Sequence, residues 1–391
     1  MPRVLGVIAE YNPFHNGHAY HLARARQAAG ADYVVVVMSA CFTQRGDAAI
    51  VSPHLRAEMA LHCGADAVVA LPSAWAARDA EHFALGGVSL LSAVGCNAIS
   101  FGSECADANL LSRTACMVNN PSASFMENVK RHLQTGLPYP AAVATAAEAD
   151  DPQCAAILRQ PNATLALCYL RAMDALPAQM EIIPITRSGS YHATSLTDSS
   201  PSATALRGAI LRGDWNSVRN GMPEAAYELL MRAAAEGHIH RPDALDTALL
   251  ARLRTMSDED YAVLPDVSEG VEHRLHAASQ AACTRDDLLH TAKTRRYPYA
   301  RLSRLATHAL LGFTHKQLAE MPPPTEPWLL GYRLDARPLI AHIASRTPLI
   351  TRAADLLERP WFEAERRAWD LWALGASLPA GLAQSARIVT I

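Results

Sequence analysis

The sequence predicts an α/β protein: a parallel sheet with helices on both faces over residues 1–212, then a mostly α-helical region over 213–391. Two observations carry the prediction. Short apolar runs alternate with helix signals through the first part, the pattern of successive βαβ units. Beyond about residue 210 the strand-like runs fade and helical periodicity takes over.

The runs VLGVIA (4–9), YVVVVM (33–38), AVVALP (67–72), AISFG (98–102) and EIIPIT (181–186) are short, and β-branched residues are frequent in them. Their hydrophobicity is continuous rather than alternating, which suits strands buried on both faces. Between them, Ser52-Pro53 supplies an N-cap and a first-turn proline, and Gly64 closes that helix. Glu81 to Leu91 is amphipathic and stops near Gly95; Ser122 to His132 ends at Gly136; Asn162 opens a helix to about Leu176. The Ala-rich stretch AAVATAAEADDPQCAA (141–156) reads as helix or loop. Further on, LRGDWNSVRNGMPEAAYELLMRAAAEG and AERRAWDLWALGAS are helical in period, and MPPPTEP (321–327) reads as a rigid connector between helical pieces.

Composition narrows the class. Of 391 residues, 50% are hydrophobic and 19% charged, a globular balance rather than a disordered one. Net charge is −3, so any nucleic-acid surface must be local. MPRVLGVIAEYNPF turns polar too soon for a signal peptide, and no run of about 18 apolar residues could span a bilayer. The expectation is a cytoplasmic protein without a membrane contact. Its 8 cysteines (41, 63, 96, 105, 116, 154, 168 and 283) form no CxxC pair and read as reduced thiols.

The stretch EYNPFHNGHAYHL places Asn12, His15, Asn16, Gly17 and His18 where the first strand turns into the first helix. That point lies at the carboxyl edge of a parallel sheet, where open α/β folds bind ligands. A helix N-terminus offers unpaired N–H groups and partial positive charge to a phosphate. Gly17 would let backbone approach the anion, and His15 and His18 could donate to oxygens on which charge builds during attack. Two histidines three apart are also compatible with a capped surface helix or half a zinc site, although no HExxH or nearby Cys/His set accompanies them.

EYNPFHNGH resembles the first motif of the nucleotidyltransferase superfamily, whose H-x-G-H binds ATP phosphates. Together with QRGDAAIVSPHLRAEMAL, ALPSAWAARDAEHFALGGVSLLSAVGCNAISFGSE, SYH and EGVEHRL…KTRRYPYARLSRLATHALLG, it resembles the bacterial tRNA(Met) cytidine acetate ligase family, from residue 4 to at least 312. The resemblance implies a Rossmann-like, HUP-type sheet domain and a two-step reaction. ATP adenylates acetate with release of pyrophosphate. The acetyl group then passes to N4 of the wobble cytidine in elongator tRNA(Met), giving N4-acetylcytidine.

Carried over by position, His15 and His18 would be catalytic. The run Val7, Ile8, Ala9, Glu10, Tyr11, Asn12, Pro13, Phe14, His15, Asn16, Gly17, His18, Ala19 and Tyr20 would wall the ATP site, joined by Gly102, Asn162 and Arg187. Taken alone, Gly102 is a strand-ending glycine, Asn162 an N-cap and Arg187 a surface arginine. SPSATALR (200–207) has the S-x-T-x-x-R form in which a helix start holds β- and γ-phosphates, so Ser202, Thr204 and Arg207 are possible phosphate ligands; a Ser-capped helix reads equally well. A magnesium ion is expected on the triphosphate, with no metal site formed by the protein.

KTRRYPYARLSR (293–304) contributes Lys293, Arg295, Arg296, Arg301 and Arg304 without an acid, interleaved with Tyr297 and Tyr299. Cations that meet phosphates and rings that stack on a base make this the expected tRNA contact, or a reach of the leading Lys-Thr-Arg into the active site, unless it only decorates a surface. Many family members read Ser-Gly-Asn-Phe after the second strand, and this chain reads SACF (39–42). If the glycine needs positive φ, Ala40 costs about 1 kcal/mol. Cys41 cannot supply an asparagine's amide. Two other classes remain open: a small-molecule adenylyl- or cytidylyltransferase, which would not need the basic segment, and a non-catalytic RNA-binding protein, which would not need the His-Gly-His turn.

Overall fold

The computed structural model describes residues 2–160, 163–176, 179–186, 201–268 and 270–391. Strands β1 (Val4–Ala9), β2 (Tyr33–Ser39), β3 (Ala67–Leu71), β4 (Ala98–Ser103) and β5 (Glu181–Thr186) form at the five predicted runs. They pair in parallel in the order β5-β4-β1-β2-β3. Val34, Val35, Val36 and Val37 of β2 are fully buried, as a central strand covered on both faces requires. From β1 the chain winds outward through β2 and β3, whereas β4 lies on β1's other side. The topological switch point therefore falls between the carboxyl ends of β1 and β4.

Helices connect the strands much as their caps predict. Ser52 Oγ accepts the Leu55 N–H at 3.2 Å ahead of the helix Pro53–His62. The amphipathic segment becomes the helix Ala80–Ala93, and Ser122 caps Ala123–Gln134. The Ala-rich stretch is helical, as Tyr139–Asp150 and Pro152–Leu158. Among the described residues no helix is long and apolar enough to cross a membrane.

The C-terminal region is mostly helical, with one difference from expectation. It contributes β6 (Trp328–Tyr332), antiparallel to β3, and β7 (Val389–Thr390), parallel to β6, extending the sheet to seven strands. MPPPTEP therefore leads into a strand instead of joining helices. WLLGY is too short to show a period, and a strand that joins the sheet antiparallel needs no crossover helix to announce it. Trp369 and Trp372 of the helix Phe362–Gly375 belong to the same apolar core as Val35, Val69 and Leu329. A separate core, including Leu253, Leu275, Leu288, Leu302 and Leu305, holds a helical unit together between residues 249 and 309.

Candidate active site

The turn after β1 is built by its own polar side chains. His15 has extended backbone (φ −145°, ψ 173°) and caps the helix Asn16–Ala29, its Nδ1 accepting the Gly17 N–H at 3.1 Å. In return His18 Nδ1 accepts the His15 N–H at 3.2 Å, a reciprocal capping box made of two imidazoles. Their rings stack at 3.6 Å between centroids. A ring whose Nδ1 accepts a backbone N–H carries its proton on Nε2, so both histidines present Nε2–H as a donor. A Cβ on residue 17 would lie 3.0 Å from His15 Cε1. Gly17 thus makes room for the capping imidazole, a use its sequence context did not reveal.

Beneath the turn, Tyr11 and Phe14 are buried, their rings 4.8 Å apart, and Tyr11 lies 4.7 Å from His18. Val7 and Asn12 are buried as well, and Asn12 Oδ1 accepts the Ile50 N–H at 2.8 Å. Tyr20 is exposed, while Ile8, Ala9, Glu10, Asn16 and Ala19 are half-buried. Several residues of the predicted wall therefore set the turn's shape from below.

The SPSATALR segment comes to the same turn from far along the chain. Ser202 Oγ accepts the Ala205 N–H at 3.2 Å and caps the helix Ala203–Arg212. Arg207 Nη1 donates to the Asn12 carbonyl at 2.7 Å, and Nη2 to Thr204 Oγ1 at 3.1 Å. Asn16 Nδ2 donates to the Asn220 carbonyl at 2.9 Å, fixing the helix start from the other side. Gly102 sits near the end of β4, across the switch point from β1. Asn162 and Arg187 lie outside the described residues, as does the SYH motif.

The segment after β2 forms a rim whose function the sequence left unread. Gln44 N–H donates to Glu10 Oε1 at 2.8 Å, and its Nε2 to the Arg78 carbonyl at 2.9 Å. On its outer side, Arg285 Nη1 pairs with Asp47 Oδ1 at 3.1 Å, Ser303 Oγ donates to the Arg45 carbonyl and Thr307 Oγ1 to the Gly46 carbonyl, both at 2.5 Å. Gly46 has φ +82°, and a Cβ there would meet the Ser303 carbonyl oxygen at 2.9 Å. The loop therefore joins the turn after β1 to the helix Tyr299–Leu311.

Arg56 is completely buried and donates to the carbonyls of Val51 (3.2 Å), Glu10 (2.6 Å), Ser39 (2.9 Å) and Ala40, drawing the ends of β1 and β2 together. Burial lowers its pKa to about 10, which leaves it cationic at neutral pH. The SACF departure carries no backbone strain: the described non-glycine residues with positive φ are Tyr11, Asp266 and Ser377, so Ala40 is not among them. Cys41 is fully buried, and burial pushes its thiol up. It packs in the main apolar core as a small hydrophobic side chain.

Within the basic segment the cations divide. Lys293, Arg295 and Arg296 are exposed. Arg301 Nη2 donates to the Asp266 carbonyl (3.0 Å) and Ser268 Oγ (2.6 Å), and half-buried Arg304 lies 3.7 Å from Asp266 Oδ2. Tyr297 is 8% exposed and belongs to the helical unit's core, with Arg296 5.9 Å and Arg301 5.8 Å over its ring. Tyr299 is half-buried, its hydroxyl donating to Asp286 Oδ1 at 3.2 Å. The expected aromatic platform is instead largely packed inward, because these rings anchor the start of Tyr299–Leu311. Spacing along the chain cannot distinguish an anchor from a platform.

The profile of the HIGH nucleotidyl transferase family matches residues 2–383. A Geobacillus sp. (strain WCH70) protein named tRNA(Met) cytidine acetate ligase is 35% identical over 94% of this chain and 93% of its own. One of the same name from Anoxybacillus flavithermus is 34% identical over 94% and 93%. The crystal structure of Thermotoga maritima TmcAL bound with alpha-thio ATP superposes with a TM-score of 0.91 at 27% identity, covering 100% of this chain and 99% of that one.

Proposed function

This chain belongs to the HIGH nucleotidyltransferase family, among the tRNA(Met) cytidine acetate ligases, and we propose that it uses ATP to adenylate acetate and acetylates N4 of the wobble cytidine in elongator tRNA(Met). The observation that carries this reading is the imidazole capping box at the sheet's switch point. Residues 1–212 act as the ATP-binding part, and 213–391 supply the RNA-facing surface while contributing β6 and β7 to the sheet. A tRNA substrate gives the enzyme a cytoplasmic place of work.

The chemistry follows from the donors. Acetate is a poor electrophile because its oxygen is anionic and leaves badly; bonding it to AMP converts that oxygen into a good leaving group. His15 and His18 Nε2–H, aided by the helix N-terminus, stabilise charge on the attacked α-phosphate. Ser202, Thr204 and Arg207, together with Asn162 and Arg187, hold the rest of the nucleotide. Magnesium would ride mainly on the triphosphate. There it would neutralise the pyrophosphate leaving group. Cytosine N4 is a weak nucleophile because its lone pair is drawn into the ring, so positioning supplies much of the transfer rate.

Protein incubated with ATP, magnesium, acetate and elongator tRNA(Met) should form N4-acetylcytidine, AMP and pyrophosphate, followed by mass spectrometry of the digested tRNA with each component omitted in turn. Acetylcytidine formed from acetyl-CoA alone would defeat the adenylate route. Pyrophosphate released only with another acid or a phosphorylated small molecule would move the acceptor elsewhere.

Lys293, Arg295 and Arg296 form the exposed part of the tRNA surface, with Arg301 beside them tied to the 266–268 loop. Replacing Arg295 and Arg296 with alanine should lower the slope of log affinity against log salt by about 0.7–0.9 for each phosphate that the segment no longer neutralises. Binding isotherms at several salt concentrations check this. Parallel slopes for variant and parent would remove the segment from the interface.

A further inference from the structure

We propose that Glu10 is the general base of the acetyl-transfer step, taking the proton that cytidine N4 loses as it attacks, an assignment that rests on the ligase reading above. Glu10 follows β1 directly, at the switch-point crevice and five residues ahead of His15. Its carbonyl is held by Arg56 Nη1 at 2.6 Å and its Oε1 by the Gln44 N–H at 2.8 Å, so both ends of the residue are fixed. The side chain is half-buried among the elements that form the crevice. Asp47 and Arg45 face it from the rim, Arg207 from the helix Ala203–Arg212, Arg56 from Pro53–His62 and Tyr169 from Ala163–Ala175.

The other candidate bases at this edge are already committed. Capping makes His15 and His18 donors to oxygen, because each Nδ1 is occupied by a backbone N–H. Asp47 is paired with Arg285 and Asp79 with His82. Burial pushes the Glu10 carboxyl up; Asp47 adds to this, and the Gln44 N–H, Arg207 and Arg45 oppose it. A carboxylate shifted upward is, in its ionised form, a stronger base.

The transfer step then balances. N4 attacks the acetyl carbonyl carbon, the C–N bond forms, and the C–O bond to the α-phosphate breaks. AMP leaves with that electron pair, and the N4 proton moves to the Glu10 carboxylate. Because the base works ionised, transfer should rise with pH through a limb lying above the ordinary carboxylate range and then level off.

The test compares the full-length parent with Glu10→Gln, whose amide oxygen can still accept the Gln44 N–H. Two readouts are taken between about pH 5 and pH 9: acetate-dependent ATP–pyrophosphate exchange, and single-turnover acetyl transfer to elongator tRNA(Met) from preloaded enzyme. Transfer should fall about 10²–10⁴-fold, at least about tenfold more than exchange, which senses only Glu10's place in the wall of the ATP site, and the acid limb of transfer should vanish. Equal losses in both readouts, or unchanged transfer, overturn the assignment. Should Glu10→Gln lack a cooperative melt, Glu10→Asp decides. A larger loss in transfer than in exchange, with the acid limb retained, supports the base, and parallel losses overturn it. No acetate-dependent exchange in the parent overturns the ligase reading itself, and is separable from any effect of Glu10→Gln.

Discussion

His18→Ala and His15→Ala should each lower acetate-dependent adenylation by about 10²–10³-fold, the usual loss when one donor to a developing oxyanion is removed. ATP affinity should fall less, because the helix N-terminus and Arg207 remain in place. Each histidine also caps the helix, so alanine costs about 1 kcal/mol of stability besides its effect on the reaction. Conservative variants separate the two contributions. His15→Asn can still accept the Gly17 N–H through its side-chain oxygen, and His18→Gln restores an ordinary capping-box partner at that position. Both should recover melting temperature without recovering turnover, since neither replaces the Nε2–H. Pyrophosphate exchange rates and thermal melts, measured on the same preparations, check this. Full activity in a well-folded His15→Asn, His18→Gln double variant would place the chemistry elsewhere.

Arg56→Met should destabilise the protein by about 3–5 kcal/mol, the scale seen when one partner of a buried charged hydrogen-bond network is removed. Four backbone carbonyls, those of Val51, Glu10, Ser39 and Ala40, lose their donor at once in a region with no exposed surface on the arginine side chain. Methionine fills similar volume, so the loss reports the hydrogen bonds more than a cavity. Arg56→Lys should recover only part of it, because one ammonium group cannot reproduce the planar fork that spans these carbonyls. Urea unfolding midpoints for the three proteins measure the effect. A Met variant within about 1 kcal/mol of the parent would mean that water or backbone rearrangement satisfies the carbonyls.

The parallel strands were legible because local composition carries them. A strand buried on both faces must be apolar along its whole length, so YVVVVM and AVVAL announce themselves. The H-x-G-H turn was legible for a related reason: a capping box is local, and all its atoms come from residues 15–18. WLLGY was not, since its strand identity comes from Val68 and Ala70 of β3, hundreds of residues earlier. Nor was the fate of Tyr297, whose surroundings are assembled from a helical unit spanning residues 249–309.

By itself the sequence determined the α/β class, the five parallel strands, the phosphate-type turn at the end of the first and the presence of a basic segment late in the chain. Each of these depends on residues within one turn or one strand of each other. Only the tertiary structure decided that Arg207 reaches back to the Asn12 carbonyl, that Arg56 draws two strand ends together, and that the Gly46 loop links Glu10 to the helix beside the basic segment. Those hydrogen bonds join positions 46, 195 and 261 residues apart as well as nearer ones. Their partners are chosen by how the sheet edge and the helical unit pack, a choice that local periodicity does not encode.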